Sequence, residues 1–269
     1  MSLERKQLFG ESYSLEEKAI ERLKTFEPAD GYYVAFSGGK DSIVIYDLVK
    51  RSGVKHDVHF NVTSVDPPEL LKFIRKNYND VIWHRPEKNM WQLIKEKMMP
   101  PTRVVRYCCE YLKERGGKGR TIVTGVRWAE SSKRAKRKSL EFCFKDKTKR
   151  YANIIIEWSD ADVWEYIRAR NLPYCELYDQ GFKRIGCVGC PMVGKRRLIE
   201  FERWPRYEAL YKKAIHAAAQ HRCERISNGE DHLKNTSTGA DWTDGDYLFK
   251  WWMEERREKE NPDQGILFE

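Results

Sequence analysis

Apolar residues follow two patterns along the first two thirds of the chain. Continuous short runs at 32–36 and 121–126 are typical of buried strands, whereas apolar positions spaced three or four apart at 14–26 and 160–171 are typical of amphipathic helices. By these criteria we predict five strands, at 32–36, 57–63, 80–86, 121–126 and 152–158. They alternate with helices predicted at 14–26, 42–51, 68–78, 90–98 and 160–171. Because parallel βαβ units produce this alternation, we predict an α/β fold with a doubly wound, mostly parallel sheet.

The pattern changes from about residue 198. Long helical stretches follow, then a polar segment at 227–245 and a tryptophan-rich helical segment, with no strand pattern. We therefore predict three parts: an N-terminal helix within 1–27, a main domain over 28–198 and a helical C-terminal extension over 199–269.

The net charge of the chain predicts the kind of partner that it binds. The 269 residues carry a formal net charge of +9, which favours a polyanionic partner or substrate, with a merely solubilising basic surface as the alternative. No run of eighteen apolar residues is present and the first residues are charged, so we expect no membrane span, no secretory signal and a cytoplasmic location. In that reducing compartment we expect the seven cysteines to bind metal or to act in catalysis rather than to form disulfides.

A polar loop that contains two glycines follows the first predicted strand and reads S-G-G-K-D-S. Gly38 and Gly39 allow the backbone to come close to a ligand, and the N–H groups that begin the next helix point toward it. Ser37 and Ser42 add hydroxyl donors, and Lys40 adds a positive charge. We predict a phosphate site here, with an ordinary tight turn between a strand and a helix as the alternative.

The spelling of this loop differs from the Walker motif. It resembles the PP-loop of the N-type ATP pyrophosphatases and of the related adenylyl sulfate (APS) and phosphoadenylyl sulfate (PAPS) reductases. Three later segments, 100–113, 124–134 and 157–190, also resemble the PAPS reductase family and stand in the family's order. The resemblance covers roughly residues 28–195. It implies an adenine nucleotide α-hydrolase-like fold and an adenine nucleotide as ligand, either ATP with Mg²⁺ or APS or PAPS.

The resemblance also assigns roles to single residues near the nucleotide. It implies that Arg127 brings a permanent charge to a phosphate or sulfate and that Gly125 allows close approach of the backbone. Asp41 is expected to position Mg²⁺ if ATP is the substrate, or else to act as a charge at the helix N-terminus. Asp66, after the second strand, is expected beside the base or the ribose. We therefore predict Lys40, Asp41 and Arg127 as catalytic residues.

Four of the seven cysteines form two tight clusters, the adjacent pair Cys108 and Cys109 and the C-x-x-C pair Cys187 and Cys190. Four thiolates suit either a tetrahedral zinc ion or a [4Fe–4S] cluster, but neighbouring side chains diverge and grip a single zinc ion poorly. The resemblance favours the cluster, because a CC pair followed by CxxC is the pattern of the family's iron–sulfur branch. It implies that all four cysteines hold one [4Fe–4S] cluster, with zinc and unliganded thiols as the alternatives.

Basic residues surround these motifs. Arg103 and Arg106 flank the double cysteine, and we predict that they hold an anionic substrate there or balance the charge of the thiolates. Basic clusters lie at 133–138, 145–150 and 194–197, and they predict either a nucleic-acid groove or an ordinary solvated face.

The last residues contain a short pattern, Q-x-x-L-F, that resembles the motif by which DNA-handling proteins dock on the bacterial sliding clamp. It is formed by Gln264, Leu267 and Phe268. Because a pattern this short often occurs by chance, a chance match is the alternative.

Two enzyme functions and one binding function fit these features. The first is an ATP-dependent, [4Fe–4S]-containing sulfurtransferase that adenylylates a substrate, with tRNA or DNA expected, and inserts sulfur from a donor with release of AMP and pyrophosphate. The alternative enzyme is an APS or PAPS reductase that receives electrons from a donor protein and releases sulfite. The third is a non-catalytic nucleotide- or DNA-binding module, against which the complete S-G-G-K-D-S loop argues.

The remaining cysteines distinguish between the two candidate enzyme functions. Reductases of the family form a thiosulfonate on a cysteine in a C-terminal Glu-Cys-Gly-Leu-His tail, and this sequence has no such segment and no cysteine after Cys223. Cys143, Cys175 and Cys223 are isolated, and we predict ordinary thiols at all three. The sulfurtransferase is therefore the function that we expect.

Overall fold

The computed structural model describes residues 3–6, 12–194, 196–230 and 242–254. Its strands, in chain order, are β1 (Glu4–Lys6), β2 (Ser12–Ser14), β3 (Tyr32–Ala35), β4 (His56–Asn61), β5 (Ile82–His84), β6 (Thr121–Val123), β7 (Leu140–Phe142) and β8 (Arg150–Ala152). Its α-helices are α1 (Leu15–Thr25), α2 (Lys40–Ser52), α3 (Pro68–Asn77), α4 (Met90–Lys97), α5 (Tyr107–Leu112), α6 (Asp160–Ala169), α7 (Arg196–Arg203), α8 (Pro205–Ser227) and α9 (Gly245–Glu254).

Six strands form one sheet in the order β5–β4–β3–β6–β8–β7. All neighbours from β5 to β8 pair in parallel, and β7 pairs antiparallel with β8 at the edge. β1 and β2, which the apolar pattern does not predict, form a separate antiparallel pair. The predicted α/β class with a mostly parallel sheet is confirmed. Because the strand order runs in opposite directions from β3, the carboxyl ends of β3 and β6 form a switch point, where such sheets bind ligands.

The helices around the sheet bury the faces that their sequences predict. α1 begins after Ser14, whose hydroxyl accepts a hydrogen bond from the Glu17 N–H. It buries Leu15, Ala19 and Leu23 against the core. The helices predicted at 42–51, 68–78, 90–98 and 160–171 are present as α2, α3, α4 and α6.

The strand predicted at 152–158 is wrong, because β8 ends at the first of these residues. The next residue, Asn153, leaves the ladder: its backbone N–H donates to the Ser139 carbonyl at 2.7 Å, and its side-chain amide donates to the Lys138 carbonyl at 2.7 Å. The chain then turns over 154–157, with three isoleucines fully buried. A buried turn therefore produces an apolar run that the sequence pattern attributes to a strand.

The C-terminal helices share one hydrophobic core with the sheet. α8 packs against both α4 and α9. The Tyr211 hydroxyl of α8 donates to the Val188 carbonyl at 3.0 Å, and the Trp252 indole of α9 donates to the Pro101 carbonyl at 2.8 Å. The region predicted as a helical extension therefore packs directly on the segments that carry the cysteines. None of the described helices combines the length and the apolar character that a membrane crossing requires.

Candidate functional site

The loop between β3 and α2 requires glycine at residue 38. Gly38 has a φ of +70°, and a Cβ there would lie 2.7 Å from side-chain atoms of Leu70 and Ile74. Gly39 caps α2 without a side-chain hydrogen bond. The N-cap residue itself therefore leaves the N–H groups of the first helical turn pointing toward the space beyond the loop.

Hydroxyl groups hold the loop in this shape. Ser42 Oγ accepts from the Ser37 N–H at 3.2 Å and donates to the Gly39 carbonyl at 2.8 Å. The Tyr178 hydroxyl, from a segment far along the chain, accepts from the Lys40 N–H at 2.8 Å. Sequence reasoning missed Tyr178, because only the tertiary fold brings it to the loop.

Four charged side chains form one network beside the loop. Lys40 Nζ lies 3.1 Å from Asp160 Oδ1 and 3.7 Å from Asp41 Oδ2. Arg127 donates from Nε to Asp41 at 2.7 Å and from Nη2 to Asp160 at 3.0 Å. Burial raises the pKa of Asp160, but the hydrogen bond from Lys40 and the charge of Arg127 outweigh burial and hold this pKa below its ordinary value. Asp160 therefore stays ionised at neutral pH, and it is a second site residue that sequence reasoning missed.

Arg127 lies deeper than the resemblance implies. Only 3% of its side chain is exposed, and its third hydrogen bond goes to the Trp158 carbonyl at 3.2 Å. It fixes the carboxylates of Asp41 and Asp160, and its contact with a phosphate or sulfate stays a prediction. Gly125 packs closely against α2, since a Cβ there would lie 2.8 Å from the Cβ of Asp41, and its approach to a nucleotide stays a prediction.

A cavity of about 310 Å³, which we name the loop cavity, opens beside the loop. Seven residues predicted from the sequence line it: Ser37, Gly39, Lys40, Asp41, Ser42, Asp66 and Gly125. Gly38 and Arg127 are not among its lining residues. Three cations that sequence reasoning did not place at the nucleotide also line it: Lys113, Arg134 and Arg184. The loop cavity therefore has the charge to hold a ligand that carries phosphate.

Asp66 lines the loop cavity just after β4, where the resemblance predicts it. Its carboxylate accepts hydrogen bonds from the N–H and the hydroxyl of Thr63, at 2.6 and 2.8 Å, and burial raises its pKa. The Cys187 thiol donates to the same Thr63 hydroxyl at 3.5 Å. Thr63 thus connects the loop cavity with the second cysteine pair.

All four clustered cysteines line a second cavity of about 220 Å³, the cysteine cavity. Cys108 and Cys109 lie in the first turn of α5, and none of the chain's seven cysteines forms a disulfide. Within the described ranges, no three His, Cys, Asp or Glu side chains are grouped so that they could hold a metal ion. The four thiols therefore share one cavity.

The C-terminal helices complete the wall of the cysteine cavity. Gly189, between the two cysteines of the second pair, has a φ of +74°. A Cβ there would lie 2.7–2.8 Å from the rings of Phe201 in α7 and Tyr211 in α8. Tyr211 also lines the cavity. The shape of this turn therefore depends on side chains from the C-terminal region.

Three cations line the cysteine cavity: Arg106, Lys113 and Arg184. A hydrogen bond from Cys108 and the charge of Lys113 lower the pKa of Cys109 to about 6. Negative charge on Cys187 raises the pKa of Lys113. The surroundings therefore favour the thiolate, the form in which cysteine binds metals, at Cys109, whereas the interaction with Cys109 raises the pKa of Cys108 and burial raises the pKa of Cys190.

The loop cavity and the cysteine cavity adjoin. Lys113, Arg184 and Gly186 line both. Of the two arginines predicted to hold an anion, Arg106 lines the cysteine cavity, whereas Arg103 is exposed and lines neither cavity. The shared cations therefore lie between a ligand in the loop cavity and a group held by the cysteines.

The three basic clusters lie in different surroundings. In the third, Arg197 is buried, with its guanidinium 4.3 Å from the Trp252 ring centroid and bonded to that residue's carbonyl at 2.6 Å. In the second, Lys149 is buried and the other three cations are exposed. In the first, Arg134 lines the loop cavity and three lysines are exposed: Lys133, Lys136 and Lys138. The first cluster is therefore the one that borders the loop cavity.

The other cysteines lie away from both cavities. Cys175 is fully buried, and Cys143 lines a separate surface cavity. Cys223 lies on α8, twelve residues beyond Tyr211, which is about 18 Å along the helix axis. The residues predicted to dock on a sliding clamp lie outside the described ranges: Gln264, Leu267 and Phe268.

Comparison with known protein families identifies the family to which the chain belongs. Residues 31–193 match the phosphoadenosine phosphosulfate reductase domain. The chain belongs to the PAPS reductase family. The matched range contains the loop and all four clustered cysteines. The resemblance predicted from the sequence is therefore confirmed.

Two kinds of curated relative are similar to this PAPS reductase family member. It is 31% identical over 198 residues to the uncharacterized protein MJ0066 of Methanocaldococcus jannaschii, an overlap of 67% of this chain and 41% of that protein. It is 28% identical over 174 residues to an adenosine 5'-phosphosulfate reductase of Oceanobacillus iheyensis, an overlap of 58% of this chain and 69% of that protein. The chain spans about two fifths of the length of the two M. jannaschii proteins that it matches.

Among solved structures, the chain is similar to a PAPS reductase from Candida auris in complex with phosphate. The TM-score is 0.48 and the sequence identity is 21%, over 65% of this chain and 88% of that chain. At this TM-score the likeness carries no argument about the site.

Proposed function

We propose that this protein is an ATP-dependent sulfurtransferase that adenylylates an oxygen atom of a nucleic acid and then replaces this oxygen with sulfur. One observation carries the proposal: the loop cavity and the cysteine cavity adjoin and share Lys113, Arg184 and Gly186. A nucleotide held by its phosphates in the loop cavity would lie next to sulfur chemistry at the cysteines. Membership of the PAPS reductase family supports the nucleotide-binding part of the proposal.

A [4Fe–4S] cluster fits the cysteine cavity better than a single metal ion does. Four thiols line a space of about 220 Å³, and two of them belong to adjacent residues, whose side chains diverge and suit separate corners of a larger group. A cluster accepts thiolates at separate corners. The cations that line the cavity offset the negative charge of the thiolates. When bound there, such a cluster supplies a place for sulfur or electrons beside the nucleotide.

The loop residues bind and orient the nucleotide in this proposal. The N–H groups at the start of α2 and the Lys40 ammonium hold the outer phosphates. Lys40 is paired with Asp160 at 3.1 Å and only 7% of its side chain is exposed, so an incoming phosphate replaces this carboxylate. Asp41 and Asp160 are the carboxylates that would hold Mg²⁺, and the hydrogen bonds from Arg127 orient both of them.

The first chemical step is adenylyl transfer. An acceptor oxygen attacks the α-phosphorus of ATP, the bond from this phosphorus to the bridging oxygen breaks, and pyrophosphate leaves with the electron pair. Lys40 and the loop N–H groups stabilise the negative charge that develops on the leaving group.

In the second step, hydrosulfide from a donor attacks the acceptor atom that carries the adenylyl group. A bond to sulfur forms, the bond to the adenylylated oxygen breaks, and AMP leaves with this oxygen and the bond's electron pair. The hydrosulfide proton passes to solvent. No electrons are gained or lost, because sulfur enters at the oxidation level of sulfide.

The surface beside the loop cavity favours a nucleic acid as the acceptor. Lys133, Lys136 and Lys138 are exposed next to Arg134, which lines the loop cavity. Such a row of cations neutralises backbone phosphates regardless of sequence. The formal net charge of +9 supports the same class of substrate.

An APS or PAPS reductase is the second candidate, because several relatives are named adenosine 5'-phosphosulfate reductase. Such an enzyme needs a nucleophilic thiol at the nucleotide besides those that bind a cluster. Cys175 is fully buried, Cys143 lines a different cavity, and Cys223 lies far along α8 from the cysteine cavity. These positions favour the sulfurtransferase.

Product analysis on anaerobically purified protein tests the proposal. With ATP, sulfide and tRNA or duplex DNA, we expect AMP, pyrophosphate and a thiolated nucleic acid, which mass spectrometry of the nucleosides or dinucleotides detects. With APS or PAPS and thioredoxin, we expect no sulfite from the wild type or from Cys223→Ser. Sulfite that disappears in Cys223→Ser, without pyrophosphate from ATP, would establish the reductase instead. No product in either assay would indicate a nucleotide-binding module.

A further inference from the structure

Two phenylalanine side chains at the edge of the main sheet project into solvent. Phe142, the last residue of the edge strand β7, is 66% exposed, and Phe144, in the connection from β7 to β8, is 91% exposed. Cys143 between them lines a surface cavity together with Tyr151 of β8, and neither phenylalanine lines that cavity. Core packing therefore does not account for the two rings, and neighbouring exposed apolar side chains of this size are typical of a contact surface.

A third exposed ring is connected to these two by direct contacts. Trp128, which directly follows Arg127 of the charged network, is 41% exposed. Its indole N–H donates to the Arg137 carbonyl at 2.8 Å. The Arg137 guanidinium pairs with the carboxylate of Glu141, the residue before Phe142. The exposed rings therefore belong to segments that contact each other beside the nucleotide loop.

The charges around the rings are mainly positive. Residues 137–150 contain six lysines and arginines and two carboxylates. Lys147 Nζ lies 5.7 Å from the ring centroid of Phe144. Arg150 is the cross-strand partner of Phe142, so the two side chains lie on the same face of the sheet. Both cations are exposed, and within the described ranges neither has a carboxylate at ion-pair distance. They are therefore placed to bind an anionic chain that contacts the rings.

We propose that this surface binds an unpaired strand of nucleic acid. We name it the aromatic edge, and it consists of Trp128, Phe142, Phe144, Lys147 and Arg150. Proteins that bind single strands combine cations that hold the backbone with aromatic rings on which bases stack. In a duplex each base already stacks between its neighbours, so a protein ring reaches the faces of bases only in single strands, loops and ends. The rings therefore favour an unpaired strand over a duplex, and the cations favour a nucleic acid over an uncharged partner.

The aromatic edge leads toward the loop cavity. Trp128 lies next to Arg127 in the chain, and Arg134, in the same basic segment as Arg137, lines the loop cavity. A strand whose bases stack on the aromatic edge would present its next nucleotides at this cavity. The inference deepens the proposed function, because it makes the acceptor an unpaired nucleotide. It rests on the proposed function for this placement alone, since binding of the strand does not require ATP.

Fluorescence anisotropy of the full chain without ATP tests the proposal. The probes are a labelled DNA strand of about twelve nucleotides, the RNA strand of the same sequence and the DNA duplex. The variants are Phe142→Ala, Phe144→Ala and both together. Phe144→Tyr keeps an aromatic ring, and Leu198→Ala, at a residue of α7 that is 62% exposed, is the matched control.

Losing one stacked base should weaken the binding of a single strand about tenfold for each ring removed. Phe144→Tyr and Leu198→Ala should bind like the wild type. The dependence of log affinity on log salt should keep its slope in every variant, because the rings carry no charge. This unchanged slope distinguishes lost stacking from lost phosphate contacts.

Each outcome decides the proposal. A single strand that binds more tightly than the duplex, with this preference lost in the double variant at an unchanged salt slope, supports the aromatic edge, and the tighter of the DNA and RNA strands identifies the sugar. Equal affinity for strand and duplex, or wild-type affinity in the double variant, refutes it. If the double variant loses self-association in sedimentation while its binding of strands is unchanged, the rings belong to a protein interface and the proposal is refuted.

Pyrophosphate release from ATP, measured on the same preparations, keeps this test separate from that of the proposed function. Binding of a strand that depends on the rings, without pyrophosphate release, would refute the sulfurtransferase and support the aromatic edge. Pyrophosphate release with an acceptor other than nucleic acid, and no strand bound at low salt, would refute the aromatic edge and leave adenylyl transfer intact.

Discussion

The S-G-G-K-D-S loop and the cysteine cavity are built in different ways. Six consecutive residues form the loop, and a hydrogen bond of 2.8 Å from the Ser42 hydroxyl to the Gly39 carbonyl closes it within itself. The cysteine cavity combines α5, a turn about eighty residues later and side chains of α7 and α8. The loop itself is therefore largely a local structure, whereas the cysteine cavity exists only when distant segments pack together.

This difference predicts that the two cavities respond differently to the same kind of damage. Changes in the C-terminal helices should disturb the cysteine cavity first, because Tyr211 and Phe201 shape its turn. Changes in the loop should affect nucleotide affinity and leave metal content intact. The four predictions below test this contrast, in order of decreasing expected effect.

Removing one cysteine should have the largest effect on the cysteine cavity and none on nucleotide binding in the loop cavity. In Cys187→Ala we expect nearly all bound iron and all sulfur transfer to be lost, with AMP affinity retained, because Cys187 does not line the loop cavity. Anaerobically purified wild type should contain about four irons per chain, measured by plasma emission spectroscopy. Cys223→Ala is the matched control and should keep its iron. Stoichiometric zinc in the wild type would contradict the cluster.

Truncating the buried tryptophan of α9 should cost the most stability. Trp252 is fully buried, its ring lies against the Arg197 guanidinium, and its indole N–H donates to the Pro101 carbonyl. The substitution Trp252→Ala should therefore lower the free energy of unfolding by about 3–5 kcal/mol. Urea denaturation measures this change. Among the folded molecules of this variant, the iron content should fall more than the affinity for the nucleotide. The exposed Trp128 provides the control, since Trp128→Ala should cost only about 1 kcal/mol; equal losses in both variants would contradict the role of Trp252.

Removing the loop lysine should weaken nucleotide binding alone. Lys40→Ala deletes a charged partner of the phosphates and should reduce ATP affinity by about 1.5–3 kcal/mol, with iron content unchanged. Calorimetric titration measures the affinity. Lys50→Ala, an exposed lysine at the other end of α2, is the control and should bind ATP like the wild type. Unchanged affinity in Lys40→Ala would remove the phosphate role of the loop.

Neutralising the first basic cluster should have the smallest effect at moderate salt. The triple substitution of Lys133, Lys136 and Lys138 by Gln should flatten the dependence of log affinity on log salt for duplex DNA by about 0.9 per lost phosphate contact. Fluorescence anisotropy at several salt concentrations measures this slope. A control triple substitution on other exposed lysines, Lys24, Lys72 and Lys76, should leave it unchanged. Equal slopes in all three proteins would argue for a small-molecule acceptor.

Local patterns were sufficient where the structure depends on near neighbours. The S-G-G-K-D-S spelling predicts a loop between a strand and a helix, and Gly38 at a φ of +70° explains why a glycine stands there. The helices α1 to α4 and α6 were equally predictable, because a buried face repeats every three or four residues, whereas the short helix α5 was not predicted. The apolar run at 152–158 led to a wrong strand prediction for the same reason. Apolar residues indicate burial, and the turn that follows Asn153 is buried too.

The amino-acid sequence by itself determined the α/β class, the glycine-containing loop between the first strand of the main sheet and its helix, the PAPS reductase family and the two cysteine pairs. Only the tertiary structure decided that Arg127 pairs with Asp41 and Asp160, that Tyr178 accepts a bond from the loop, and that Lys113 lies between two cavities. These contacts join residues far apart in sequence. A local pattern reports which face of an element is buried, but the identity of the partner depends on which segments the fold brings together.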